Sequence, residues 1–338
     1  METSDVVSMR GREALVLGRG TGLLAVVMAV ACMVFVGPSA PSGVPIGRPL
    51  PVHAVKDVVP NRVMTWNICN PCEKSDVDRA AEIATYAPQV IGLQEACTRD
   101  VERIRDYLER FYGLVYHVEY GPVLRDWGRC GGVPWHPGGF GQAILSAAPM
   151  ADPVKVEYPD GGSEDRGYMA VTTLVGGRPV RVFNTHLAQR QQEAVRAEQT
   201  GVLAEAVARH DRAIVLGDFN AVPDAPELAP MWKLSDATGS RCRPASAATC
   251  EPTTDWALKF DYVFLRGVAP IEHSVEHSPY SDHHMLHADV DPAQGVSFGS
   301  ARARDAWHGA SRRCRITHGH PVRGRCSALR CTAPDTAG

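Results

Sequence analysis

The stretch Ile214-Val215-Leu216-Gly217-Asp218-Phe219-Asn220-Ala221 constrains this chain more than any other. Three apolar residues, two of them β-branched, run into a glycine and then present a carboxylate and an amide. That order reads as a buried strand reaching a rim. A strand repeats every two residues, so Asp218 and Asn220 are expected on the same side. An acid beside a neutral amide oxygen suits a hard cation or a positioned water. The competing reading is an Asx turn, in which both side chains serve their own backbone.

The same arrangement recurs along the chain. Arg62–Ile68, Val90–Glu95, Gln142–Ser146, Met169–Leu174, Pro179–Asn184, Phe260–Leu265 and His284–Val290 read as further strands, with Gly176-Gly177 as a hairpin turn. Helical spacing marks Asp76–Tyr86, stopped by Pro88, then Val101–Phe111 and Arg190–His210. Strands alternating with helices predict a layered α/β architecture. Polar groups stand at the strand ends in order: Asn67, Glu95, Asn184 with His186, Asp218 with Asn220, and Asp282-His283, with Asp261 shortly before the last pair. Each alone is an ordinary turn or surface residue; their repetition after Val/Ile/Leu strands points to one shared site. Trp127–Gly141 lacks any period and reads as a long loop of the kind that carries function. Its Trp127 and Trp135 are expected to pack the loop on the body, with base stacking or membrane contact as alternatives.

The ends differ from the middle. Arg10, Arg12 and Arg19 precede the apolar run Leu23–Val36, and Ser39-Ala40 follow, so residues 1–40 read as an export signal cleaved near Ala40. The run is shorter than the ~20 residues of a membrane span, although an uncleaved anchor is the alternative. Residues 41–60 are proline-rich and read as a linker, 61–292 as the folded domain, and 293–338 as an Arg-rich, cysteine-containing tail without a core of its own. Between Ala40 and Pro292, 24 Lys+Arg stand against 33 Asp+Glu. So acidic a body argues against a tight sequence-specific DNA binder, but not against a metal enzyme. Export makes disulfides the expected fate of the cysteines. Cys242 and Cys250 enclose a short loop and are expected to pair.

Seven motifs together carry a family resemblance. Thr65-Trp66-Asn67-Ile68, Leu93-Gln94-Glu95, Gly141-Gln142-Ala143-Ile144-Leu145-Ser146, Asn184-Thr185-His186-Leu187, Leu216-Gly217-Asp218-Phe219-Asn220, Phe260-Asp261-Tyr262-Val263-Phe264 and Ser281-Asp282-His283 resemble, in order, the motif series of the endonuclease/exonuclease/phosphatase superfamily. That group includes DNase I, repair nucleases of the exonuclease III type, neutral sphingomyelinases and inositol polyphosphate 5-phosphatases. The resemblance covers about Arg62–Asp291. It implies a four-layered α/β/β/α sandwich, two mixed β-sheets face to face with helices outside and the active site at one edge.

The resemblance also implies roles. Glu95 and Asn67 would hold Mg2+ (Mn2+ being the alternative), and Asp282 would join the metal site or orient water. His283 would be the general base, its tautomer fixed by Asp261. Asp218 and Asn220 would orient the water and the phosphate, and His186 would donate to a phosphate oxygen. Arg166 and Asn184 would bind substrate, although an ion pair of Arg166 with Glu164 or Asp165 competes. If Asn67 and Glu95 converge on one cation, Cys69 and Cys97 would face each other and pair, with Cys72 as an alternative partner for Cys97. The expected protein is a secreted, Mg2+-dependent phosphodiesterase, monomeric and without an obligate protein partner. Its expected substrate is a nucleic acid; a phospholipid, in a sphingomyelinase-like phospholipase C, or a small phosphorylated molecule comes second. A non-catalytic binding protein on this scaffold would be expected to lack the base or a metal ligand, yet Glu95, Asp218, Asp261 and His283 are all present.

Overall fold

The computed structural model describes residues 57–294, apart from 71, 73, 74, 190, 239 and 240. The expected export signal (1–40), most of the linker (41–60) and the tail from 295 onward lie outside the described residues. Among the described residues no helix is long and apolar enough to cross a membrane.

In chain order the elements are β1 (Val59–Asn67), α1 (Asp76–Tyr86), β2 (Pro88–Cys97), α2 (Thr98–Tyr112), β3 (His117–Arg125), α3 (Trp127–Cys130), β4 (Gly132–Val133), β5 (His136–Pro137) and β6 (Gly139–Ser146). There follow β7 (Ala151–Glu157), β8 (Gly167–Val175), β9 (Arg178–His186), α4 (Glu193–Ala208), β10 (Ala213–Asp218), β11 (Ser235–Asp236), β12 (Asp261–Arg266), β13 (Ala269–Glu276) and β14 (Met285–Asp291). The helices form where apolar residues recur at helical spacing. In α2, Val101, Ile104, Leu108 and Tyr112 are the buried stripe, and Gly113 in the left-handed region ends the helix, its N–H reaching Glu109 O. In α1 the buried face is Ala80, Ile83 and Ala84, and the chain leaves through Ala87 into Pro88.

Two six-stranded mixed sheets, ordered β13-β14-β1-β2-β6-β3 and β11-β12-β10-β9-β8-β7, carry the fold. Alternation along each strand sorts the side chains into layers. Val63, Val90, Ile144, Ile214, Leu216, Val263 and Leu286 pack between the sheets. Met64, Trp66, Ile91 and Leu93 point the other way, under α1 and α2, whereas Phe183, Val215 and Phe264 pack with Leu203 and Val207 of α4. The result is the expected four-layered α/β/β/α sandwich. Buried polar side chains cross-link the two sheets: Gln94 Nε2 donates to Thr65 Oγ1 (2.9 Å) and Asn184 Oδ1 (2.7 Å), and Asn184 Nδ2 donates to Leu93 O and Ala143 O (both 2.9 Å). At Gly92 a Cβ would lie 2.8 Å from Asn184 Oδ1 and 2.9 Å from Leu216 Cβ. Gly92→Ala is therefore expected to cost about 1–3 kcal/mol by overpacking; an unchanged urea midpoint would show that the sheets can part there.

The expected elements are found, with edge strands added: the two-residue β11 and three longer ones. β3, β7 and β13 each lie at a sheet edge, and their side chains are mostly exposed or half-buried. With one face and one edge in water they lack the apolar alternation that reveals a strand. The Trp127–Gly141 loop contains α3 and the small β4–β5 hairpin before it enters β6. Trp135 is 84% exposed and Trp127 57%, so neither packs on the body as expected.

Candidate active site

Strand register assembles the site before any side-chain contact does. At the end of β10, Asp218 is the direct cross-strand neighbour of His186 on β9 and of Asp261 on β12. All three continue the row of residues facing the opposite sheet. That sheet delivers Asn67 by the same alternation, since Val63 and Thr65 precede it on the inner face. Glu95 arrives differently. Unbroken alternation would send it to the helix side with Leu93, but the β2–β6 register shifts between Leu93 and Ala96, and Glu95 has φ 50°. A bulge of this kind re-aims a side chain and stores local strain, which is characteristic of functional sites.

The segment Ser281–His284 makes the last contribution. Ser281 Oγ donates to Asn67 O (2.6 Å) and accepts from His283 N (3.1 Å), while Trp66 Nε1 donates to His283 O (3.0 Å). These bonds tie the segment to the end of β1. A bridge between Thr254 and His283 adds the loop before β12. Asp282, His283, Glu95, Asp218, Asn220 and Trp256 then share one cavity of about 550 Å3.

Within it, His283 Nδ1 lies 2.9 Å from Asp261 Oδ2, and its Nε2 lies 3.7 Å from Asp218 Oδ2. Asp218 also accepts from Asn67 Nδ2 (3.0 Å) and from Asn220 N (2.8 Å). The second contact is the Asx turn weighed from sequence, so the turn and the site coexist. On the other side, His186 Nε2 stands 3.4 Å from Asp218 Oδ2. His186 Nδ1 lies 2.7 Å from Arg166 Nη1 and its Nε2 lies 3.0 Å from Asn220 Nδ2, so both ring nitrogens face N–H donors. Asn220 Nδ2 donates to Leu187 O (3.0 Å).

Electrostatics separates these groups. Burial, with Asp218 nearby, pushes Glu95 up to about 7 against the pull of its hydrogen bond from Asn67. Burial likewise raises Asp218 to about 6, with His283 opposing the rise. For His283 burial works toward neutrality, but the Asp261 and Asp218 carboxylates outweigh it and raise the ring to about 10. His186, buried and beside the Arg166 guanidinium, is held far below its ordinary value and is neutral. His283 is thus drawn toward its charged form and Asp218 toward its neutral one, each by the presence of other groups in the same buried cluster.

Not every expected residue reaches the cavity. Asn184 is fully buried and all its observed bonds join the two sheets, which corrects its assignment to substrate binding. Arg166 is 2% exposed and its guanidinium is engaged by His186 and by Glu164 Oε2 (2.9 Å), so it backs the site from behind rather than facing a phosphate. The cysteines pair as Cys69–Cys72, Cys97–Cys130 and Cys242–Cys250. The expected Cys69–Cys97 bridge is thus corrected. Cys69 begins a tight turn in which Cys72 N donates to Cys69 O (2.8 Å), whereas Cys97 lies opposite Phe140 on the β6 side of β2, away from β1. Cys314, Cys326 and Cys331 lie outside the described residues. Trp256 escaped the sequence reading. It is 47% exposed, lines the cavity and stands edge-on to His283 with ring centroids 5.4 Å apart. Its only signal was an apolar triplet, Trp256-Ala257-Leu258, placed just before Asp261.

Comparison with known proteins agrees with this geometry. The Endonuclease/Exonuclease/phosphatase family pattern matches residues 64–283. No curated protein matches the chain. Among solved structures, an endonuclease/exonuclease/phosphatase from Beutenbergia cavernae aligns at TM-score 0.54 and 22% identity, covering 68% of this chain and 71% of that one. TDP2 from D. rerio, complexed with single strand DNA product, aligns at TM-score 0.54 and 18% identity over 68% and 98% of the two chains. The human Nocturnin catalytic domain with bound sulfate aligns at 0.53 and 22% over 69% and 93%. The chain belongs to the endonuclease/exonuclease/phosphatase family and is a metal-dependent hydrolase of phosphoester bonds.

Proposed function

We propose that this protein is an exported, Mg2+-dependent phosphodiesterase that cleaves nucleic acid. One observation carries the reading: the Asp218 carboxylate sits between two imidazoles of opposite character, neutral His186 and charged His283, beside a cavity that also takes in Glu95 and Asp282. Export is supported by the order of basic, apolar and small residues in 1–40 and by the three disulfides.

The residues fit a divalent cation. Glu95, Asp218 and Asp282 converge on the cavity, and the rise of Glu95 to about 7 comes from burial first and from the neighbouring Asp218 carboxylate second. Glu95 and Asp282, with the Asn67 oxygen, are the donors that would hold it. An all-oxygen set with room for retained water is the preference of Mg2+. Held there, a divalent cation would supply the positive charge that offsets negative charge building up on the phosphate and the leaving group. The chain's own groups do the rest. Asp218 takes the proton from the attacking water. His283, kept charged by Asp261, donates through Nε2 to a phosphate oxygen as negative charge builds there. Neutral His186 flanks Asp218 on the other side, and the Asn220 amide holds the water in line.

Trp256 supports the nucleic-acid assignment, because a half-exposed indole beside His283 gives a flat surface on which a base next to the scissile phosphate can stack. Base–aromatic stacking contributes about 1–3 kcal/mol. Trp256→Ala is therefore expected to raise KM for single-stranded DNA or RNA by roughly 5- to 150-fold while leaving the Mg2+ titration of activity unchanged. The deciding assay measures turnover of plasmid DNA, single-stranded RNA, sphingomyelin vesicles and an inositol polyphosphate, with Mg2+ and with EDTA. Mg2+-dependent nicking is the expected result. Release of phosphocholine without nicking would replace the nuclease reading and recast exposed Trp127 and Trp135 as membrane contacts.

A further inference from the structure

We propose that Asp255, His277 and His284 form a second metal site, outside the catalytic cavity, that takes Zn2+. Backbone structure brings the three together. Glu276 and Met285 are the terminal register pair of β13 and β14, so His277 and His284 occupy the next facing positions beyond it. Asp255 reaches them because its N–H donates to Asp282 O (3.0 Å) and His284 N–H donates to Thr253 O (2.8 Å), on either side of the Thr254–His283 bridge. Both imidazoles aim Nε2 at the same carboxylate oxygen: His284 at 3.1 Å and His277 at 3.7 Å from Asp255 Oδ1. All three ligand atoms lie within 4.8 Å of one another.

Tetrahedral zinc with bonds of about 2.0–2.1 Å sets its ligand atoms about 3.3 Å apart. The two Asp255 distances bracket that edge. The cluster opens onto its own concavity of about 630 Å3, which leaves room for a water as the fourth ligand. Access from solvent is direct, since the side chains of His277 and Asp255 are 66% and 49% exposed, whereas His284, at 15%, is seated. Two imidazoles and one carboxylate select Zn2+ over Mg2+, which favours oxygen donors alone. Bound there, Zn2+ would clamp the loop carrying Trp256 to the segment carrying Asp282 and His283. The site would thus brace one wall of the catalytic cavity without entering it.

The test uses the full mature chain carrying Glu95→Gln, so that the cavity's own cation site is disabled. Zn2+ is titrated calorimetrically in excess Mg2+, and Co2+ is followed by the visible absorption of its four-coordinate form. One equivalent of Zn2+ that Mg2+ does not displace is expected, together with a rise in Tm. Adding His277→Ala, at an exposed position whose loss leaves the fold intact, is expected to weaken that equivalent at least 100-fold and to abolish the four-coordinate Co2+ spectrum. His284→Gln is expected to do the same. If the equivalent survives in both variants, zinc binds elsewhere, for instance at the tail cysteines, and the proposal falls. Absence of any Mg2+-resistant Zn2+ binding overturns it equally.

Discussion

Replacing His283 by alanine is expected to lower kcat by roughly 100- to 10,000-fold while the fold survives. The ring is the only part removed. The bonds that seat this segment, from Trp66 Nε1 to His283 O and from His283 N to Ser281 Oγ, belong to the backbone and remain. Two effects reinforce each other. The phosphate loses the charged donor that Asp261 sustains, and Asp218 loses the positive charge that opposes its own rise above about 6. In the variant the Asp218 carboxyl therefore holds its proton to higher pH, so the acid limb of log kcat against pH moves up as well as down in height. A merely structural histidine would lower activity without moving that limb. Wild-type turnover in a folded His283→Ala protein, with an unshifted acid limb, would remove His283 from the chemistry.

What was legible in the sequence was whatever obeys strand periodicity. His186, Asp218 and Asp261 stand at the ends of central, apolar strands, and their parity places them on the inner face as read. The same pattern also swept in Asn184, which is of another kind. With Thr65 and Gln94 it is polar and faces inward too, but the three are linked by hydrogen bonds across the buried sheet interface. From sequence they resemble site residues because both roles need a polar group on an inner strand face; only distance from the strand end separates them. Glu95 was named through its motif, yet its direction rests on a left-handed backbone at a bulge, which no alternation rule anticipates. The edge strands β3, β7 and β13 were illegible because water covers much of them. Trp256 and the disulfide partners depend on where loops return, and loops carry no period. The Asp255–His277–His284 cluster was hidden for the same reason: its members come from the loop before β12 and from the connection between β13 and β14.

Asp218→Asn is expected to abolish measurable turnover and, without metal, to make the protein more stable at neutral pH. Asn220 N–H keeps an acceptor if the new amide oxygen takes the place of Oδ1, so the Asx turn can persist. Catalysis loses its proton acceptor, and the acid limb, whose midpoint in the wild type lies at or below about 6 with a cation bound, disappears from any residual activity. Stability moves the other way. A carboxyl whose folded pKa is about 6, above the unfolded value of about 3.9, favours folding most at pH below 3.9 and loses that contribution as pH rises to 6. Above pH 6 the buried charge therefore works against the fold by an amount on the order of 3 kcal/mol. The neutral amide removes that burden, as well as the repulsion that raises Glu95. It also removes an attraction that raises His283, so the ring's pKa falls below about 10. Thermal melts at pH 4 and pH 8 in EDTA check the sign, with the variant's advantage larger at pH 8. A variant less stable than wild type at pH 8 would mean that Asp218 is held by its hydrogen bonds from Asn67 and Asn220 more strongly than burial opposes it, and that its carboxylate is too weak a base to take the water's proton.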